Sequence, residues 1–214
     1  MPTLPILWSF RRCPYAMRAR LAIRASGLAV ELREILLRDK PDMFLATSPK
    51  GTVPVLHSGD RIIAESRDIM LWALRQCDPE GWLDMAPEGH ALIDSCDGPF
   101  KRALDHTKYA VRYPHLDVAA ERAKAMEFLQ HLDDRLTGAP FLMGPTRSLA
   151  DMAILPFVRQ FANIDRAWFN AQQMSPLTRW LDAFLASDPF AAVMVKYAPW
   201  HADQDRVLFP QTTP

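Results

Sequence analysis

An apolar run, a helix opened by proline and a second apolar run stand at the head of this chain, and their order restricts the fold more than any other feature. "LPILWSF" (4–10) is short and suits a strand. Pro14 then fits the first turn of a helix, where no backbone donor is needed, and helix formers continue from Tyr15 to Ser26. Gly27 stops them as a C-terminal glycine does. "VELREILL" (30–37) partly alternates and reads as a second strand. A strand–helix–strand unit of this kind implies parallel strands joined by a right-handed crossover.

The pattern continues with a short helix in "PDMFLAT" (41–47) and a loop in "SPKGT" (48–52). Two short strands, "VPVLH" (53–57) and "RIIA" (61–64), flank the hairpin signal "SGD". "ESRDIMLWALRQC" (65–77) returns to helical spacing, with Ile69, Trp72 and Ala73 on one face. The order is βαβ–α–ββα. "DPEGWLDMAPEG" (78–89) reads as a linker, and beyond it only helical patterns occur, over 88–113, 117–136, 148–164, 175–187 and 189–197. Pro99 should kink or divide the first of these. Ser148 and Asp151 resemble a capping box, and Ser175-Pro176 a cap followed by a first-turn proline. The final "FPQTTP" reads as a loose tail. The expected division is an α/β domain over 1–78, a linker over 79–89 and an all-helical domain over 90–214.

Composition excludes several classes of function. The 214 residues carry 25 basic and 25 acidic side chains, and this zero net charge weighs against a nucleic-acid or anionic-membrane surface. No apolar run approaches the roughly 18 residues needed to span a bilayer. The six histidines (57, 90, 106, 115, 131 and 201) show no metal-ligand spacing, so no metal site is expected. The basic and aromatic stretch "HTKYAVRYPH" (106–115) suits a half-solvated helix face better than a nucleic-acid contact. Three cysteines are too few for a secreted disulfide framework, and a reducing, cytoplasmic compartment is expected. Cys77 and Cys96 read as small packing residues.

Cys13 is different, because "RRCPYAMRAR" (11–20) sets it at a helix start. Free backbone N–H groups and the positive end of the helix dipole favour thiolate there, and Arg11, Arg12 and Arg18 would add to this if turned inward. Its place after a first strand is also where α/β folds bind ligands. The competing reading is a small buried cysteine. Ala16 stands where a C-x-x-C dithiol would carry its second cysteine, so an outside thiol must resolve any mixed disulfide at Cys13. Val53-Pro54 is either an ordinary trans pair at a strand edge or a cis pair that offers the Val53 backbone to a peptide-like ligand. Glu65-Ser66 is either a plain helix cap or a site for an anionic group, with Glu65 holding an ammonium.

The order "CPYAMRAR … KP … VPVL … ES" and then "SLADMAILP" resembles the cytosolic glutathione S-transferases over nearly the whole chain. The resemblance implies a thioredoxin-like domain followed by an all-helical domain, and a homodimer. Ser148 and Asp151 then correspond to the family's capping motif, a determinant of folding. With Cys13 at the position where many members carry Tyr or Ser, the chain looks like the omega class and the glutaredoxin-like members. That likeness implies a thiol transferase with glutathione as co-substrate, using a Cys13–glutathione mixed disulfide. Val53 and Pro54 would meet the cysteinyl backbone of glutathione, Glu65 and Ser66 its γ-glutamyl end, and Lys40 its glycyl carboxylate. Ser9 and Tyr15 are nearby hydroxyls, so hydroxyl activation of glutathione stays open. The resemblance also implies a pocket for a small electrophilic or disulfide substrate, for which aromatic character suggests Phe10, Phe100, Tyr109, Tyr113 and Trp168. Conjugation of glutathione to electrophiles and a non-enzymatic protein-binding role are the alternatives.

Overall fold

The computed structural model describes residues 4–211. In chain order the elements begin β1 (Ile6–Ser9), α1 (Pro14–Ser26), β2 (Val30–Glu34), α2 (Asp42–Thr47), β3 (Val55–Ser58), β4 (Arg61–Ile63) and α3 (Ser66–Leu74). Seven helices come next: α4 (Pro87–Ser95), α5 (Lys101–Lys108), α6 (Val118–Leu136), α7 (Leu149–Ala162), α8 (Arg166–Asn170), α9 (Ser175–Leu185) and α10 (Asp188–Val193), and then strand β5 (Leu208–Phe209). Contacts divide the chain into two compact units. One runs up to Glu80 and resumes from Ser187 onward, and the other is Gly81–Ala186. The segment from Ser187, grouped by sequence with the helices, therefore packs with the sheet.

The sheet has strand order β4–β3–β1–β2–β5. β1 and β2 are parallel, with Leu7 opposite Leu32, as the strand–helix–strand opening requires. β1–β3, β3–β4 and β2–β5 are antiparallel. Alternation along β1 assigns its faces. Ser9 points to α1, where its Oγ accepts from Arg20. Trp8 points the other way, into a cluster with Ile35, Phe44, Val53 and Val55. α1 covers the first face, buries Met17, Leu21 and Ile23, and packs along α3, which contributes Ile69, Met70 and Ala73. Gly27 ends α1 at φ 68°, a left-handed conformation that only glycine adopts without strain.

On the second face Trp8 meets Phe44 of α2 with ring centroids 5.6 Å apart, and Trp200 at 5.1 Å in an edge-on arrangement. Arg33 lies over both indoles, 5.0 Å from Trp8 and 4.5 Å from Trp200. The Trp200 N–H donates to the Glu34 carbonyl at 2.7 Å, and the Leu32 N–H to the Val207 carbonyl at 2.8 Å. Phe209 is 1% exposed and pairs with Val30, so "FPQTTP" is not a loose tail from its start. Thr212–Pro214 lie outside the described residues.

The helical unit is centred on α7, which is apolar on nearly every side and correspondingly buried. Its N-terminus is a complete capping box. Asp151 Oδ2 accepts the Ser148 N–H at 2.9 Å and the Ser148 hydroxyl at 2.6 Å, while Ser148 Oγ accepts the Asp151 N–H at 3.5 Å. Asp151 Oδ1 also takes the Leu142 N–H at 2.9 Å and the Trp180 Nε1–H at 3.0 Å. Burial pushes the Asp151 carboxyl up from its ordinary range, against the pull of these donors.

Pro99 marks an irregularity in the helix expected over 88–113, as its ring requires: it sits in a π-helical turn, Cys96–Phe100, that joins α4 to α5 without a break, and a 3-10 turn comes after α5 at Ala110–Arg112. Two further readings are corrected. Ser175 does not cap α9. Met174 holds the N-cap position without a side-chain bond, and Ser175 and Pro176 fill the first turn. α8 and β5 are additional elements, too short to show a period.

Replacing Asp151 by Ala removes the acceptor of four buried donors. Denaturant unfolding should show a loss of about 3 kcal/mol or more, against less than about 1 kcal/mol for a surface control.

Candidate functional site

Cys13 ends the loop between β1 and α1. Its N–H donates to the Phe10 carbonyl at 2.9 Å, and its own carbonyl accepts the Met17 N–H at 2.9 Å, the first bond of the helix. The residue is extended (φ −74°, ψ 123°) and holds the N-cap position of α1, with Pro14 in the first turn. The first turn of α1 therefore begins beside the thiol. Cys13 is partly exposed and packs against the Trp8 cluster. Its Sγ lies 3.7 Å from the Val53 carbonyl oxygen, the position of a weak S–H donor.

A buried ion pair fixes the loop that carries it. Arg20 of α1 pairs with Glu34 of β2, with side-chain exposures of 0% and 8%. Arg20 also donates to Ser9 Oγ at 2.8 Å and to the Val193 carbonyl at 3.1 Å. The other Glu34 oxygen accepts the Arg11 N–H at 2.5 Å. Burial pushes the Glu34 carboxyl up and the Arg20 guanidinium down, each opposed by the attraction of the other. Ser9 is wholly buried and its hydroxyl is spent on Arg20, which removes it as a surface hydroxyl for chemistry. The neighbouring arginines have other contacts: Arg11 donates to the Met194 carbonyl at 3.3 Å, Arg12 lies 5.3 Å over the Phe10 ring, and Arg18 lies 5.8 Å over Tyr15.

Across from Cys13, the Val53–Pro54 peptide is cis. Among the described residues no group accepts the Val53 N–H, while the Val53 carbonyl faces Cys13. The loop before it is tied to Ser48, whose Oγ donates to the Thr52 carbonyl at 3.1 Å and whose carbonyl accepts the Gly51 N–H at 2.7 Å. Gly51 has φ 61°, and a Cβ there would lie 3.3 Å from Lys40 Nζ, so the Lys40 ammonium lies over this loop. Lys50 pairs with Glu65 at 3.3 Å, both exposed, and Ser66 is the buried first residue of α3. The structure thus links Cys13, Val53, Lys40, Glu65 and Ser66 through one short loop. It adds Lys50, a loop lysine that no periodicity could single out.

The aromatic residues scatter. Phe10 sits beside Cys13 against the Trp8 cluster. Phe100 is 1% exposed and stacks at 4.8 Å on Phe128, so it belongs to the helical core and not to an open pocket. Tyr109 is flanked by Lys108 at 5.0 Å and Arg112 at 4.5 Å. Tyr113 rests 4.5 Å from His106, which bonds Glu121 at 2.7 Å. Trp168 stacks on Arg122 at 4.5 Å. Among the described residues no group of three His, Cys, Asp or Glu could hold a metal ion, and no helix is long and apolar enough to cross a membrane.

Residues 7–81 match the family model of the glutathione S-transferase N-terminal domain, and residues 117–183 that of the C-terminal domain. The chain belongs to the glutathione S-transferase family. Among curated relatives of this chain, the probable glutathione S-transferase DHAR1, cytosolic, of Oryza sativa subsp. japonica is 29% identical over 148 residues, 67% of this chain and 64% of that protein. Glutathione S-transferase omega-1 of Mus musculus is 25% identical over 197 residues, 80% of this chain and 77% of that protein. The match to a second rice protein, the probable glutathione S-transferase DHAR2, chloroplastic, covers 50% of its length, so the chain spans only part of these two rice relatives. The fold is that of solved glutathione transferases. Omega 3C from Trametes versicolor superposes with TM-score 0.75 at 19% identity, over 93% of this chain and 92% of that one. A family member from Pseudomonas fluorescens pf-5, solved with two glutathione bound, gives 0.74 at 19% identity, over 91% and 93%.

Two substitutions separate the tied loop from its exposed ion pair. Gly51→Ala forces a side chain into the left-handed region and should cost about 1 kcal/mol in urea unfolding. Lys50→Ala removes only an exposed pair and should change stability by less than about 0.5 kcal/mol.

Proposed function

We propose that the chain is a glutathione-dependent thiol transferase acting through a Cys13–glutathione mixed disulfide. The observation that carries this reading is the Cys13 thiol at the head of α1, 3.7 Å from the carbonyl of the residue before cis-Pro54. Val53 offers an unspent N–H and a carbonyl that a peptide backbone could pair with, as a strand adds to a sheet edge. A peptide N–H taking that carbonyl would displace the thiol from its acceptor and bring the peptide's own sulfur to Cys13. Glu65 would receive the ammonium of the γ-glutamyl group and the α3 N-terminus at Ser66 its carboxylate. Lys40 supplies a cation for the glycyl carboxylate.

The chemistry is an exchange of sulfur partners. Cys13 thiolate attacks the glutathionyl sulfur of a mixed disulfide, forming a Cys13–glutathione disulfide and releasing the substrate thiolate. A glutathione thiolate then attacks the glutathionyl sulfur of that intermediate, giving oxidised glutathione and restoring Cys13 thiolate. Ala16 leaves no second thiol in the motif, which is why a second glutathione must resolve the intermediate. Ser9, committed to Arg20, does not compete as an activating hydroxyl. The relatives named for the omega class support this subclass, and the family supports a homodimer working in a reducing, cytoplasmic compartment on small disulfide substrates.

Mass spectrometry after incubation with oxidised glutathione should find one glutathione on Cys13, removed by reduced glutathione. Cys13→Ala should take up none at that site and lose at least about a hundredfold in turnover of a glutathionylated peptide, while Cys77→Ser keeps full activity. Full thiol transfer by Cys13→Ala would overturn the mechanism. If that variant instead kept or gained activity toward a chlorinated aromatic acceptor, the protein would be a conjugating transferase.

A further inference from the structure

A recess is built entirely from residues of the helical unit. Pro140, Phe141, Met152, Leu155, Trp180 and Phe184 wall a recess of about 240 Å3, with Ala183 at its surface. Its lining is otherwise apolar apart from two arginines, Arg147 and Arg179, and contains no carboxylate. We propose that this recess binds a small aromatic carboxylate, ring between the aromatic walls and carboxylate on the Arg179 guanidinium.

Size, shape and charge each narrow the ligand. The volume is below the roughly 300–1,000 Å3 of pockets for drug-sized ligands, which suits about ten to fourteen non-hydrogen atoms. The walls include the flat side chains of Phe141, Trp180 and Phe184, which favour a planar partner in stacked or edge-on contact. Met152 adds an adaptable thioether. The Trp180 ring is held in place, because its Nε1–H donates to the buried Asp151 carboxylate at 3.0 Å. That carboxylate already accepts from Leu142 and Ser148 as well, so its charge is met locally by donors behind the wall. A preset aromatic wall spares the ligand the cost of ordering it.

Arg179 is the anchor. Its guanidinium donates to the Leu136 carbonyl at 3.2 Å and makes no ion pair among the described residues, so donors remain for a carboxylate. Arg147, which also lies 5.9 Å over Phe141, adds a second positive charge to the same wall. A larger groove, of about 880 Å3 around Arg122 and Trp168, is lined by Glu127 and Asp134 as well and has no such single sign.

The test is calorimetric titration of the intact protein with 2-naphthoate, in the presence and absence of saturating glutathione. Expected are one saturable site per chain, unaffected by glutathione, and binding at least about tenfold weaker for the neutral 2-naphthamide. Arg179→Gln should weaken naphthoate by a similar factor, and Ala183→Trp, which fills the recess from its exposed edge, should abolish binding. The proposal is overturned if naphthoate does not saturate, if glutathione displaces it, if the amide binds equally well, or if both substitutions leave binding unchanged. Tighter binding of octanoate than of naphthoate would overturn the aromatic class in favour of an aliphatic acid.

Discussion

The Arg20–Glu34 pair is the interaction on which the sheet unit and its thiol depend. Two charges are taken out of water here, and several elements converge on them. Arg20 belongs to α1 and Glu34 to β2, while Ser9 of β1, the Arg11 N–H and the Val193 carbonyl of α10 complete the shell. A buried pair of this kind does little for net stability, since desolvation offsets most of its attraction. What it does is discriminate against other arrangements. Sliding β2 against β1, or turning α1 about its axis, would leave a charge buried without its partner. The Arg11 N–H bond carries that constraint to the loop ahead of Cys13, so a charge pair well inside the helix determines where the sulfur stands.

Much of this architecture could be read from residue order, because it rests on local signals. Pro14 and Gly27 bracket α1 through backbone chemistry that acts within a few residues. Ser148 and Asp151 announce α7 for the same reason, since a capping box closes over three residues. The hairpin of β3 and β4 arises from a two-strand pattern around a glycine turn. What could not be read depends on partners distant in sequence. β5 is two residues long and becomes a strand only beside β2. α8 is shorter than two turns, so no period can show. The π turn at Cys96–Phe100 places Pro99 inside a continuous run of helix rather than at a clean break.

The candidate site divides along the same line. Cys13, Val53 and Ser66 were legible because each marks a backbone event: a helix start, a strand entry before proline, a second helix start. Lys50 was not, since a lysine in an exposed loop has no periodicity and gains meaning only from the placement of Glu65. Of the aromatic candidates, Phe100 is the one that burial removes from an open pocket, for a related reason. Aromatic character says that a side chain is large, and Phe100 shows that size alone is satisfied as readily by a core stack as by an open wall.

The return of the chain to the sheet has a further consequence for how the protein comes into being. β5, Trp200 and the Val193 carbonyl all belong to the segment after Ser187, yet they complete a unit begun by β1. The helical unit is thus an insertion within the sheet unit, in sequence if not in appearance. During synthesis the β2 edge and the side of Trp8 that Trp200 covers must wait for more than a hundred residues, while Gly81–Ala186 has its whole core in hand. The half of the protein that begins first is the half that finishes last, and a chain truncated before Ser187 would keep Cys13 while losing part of what holds it.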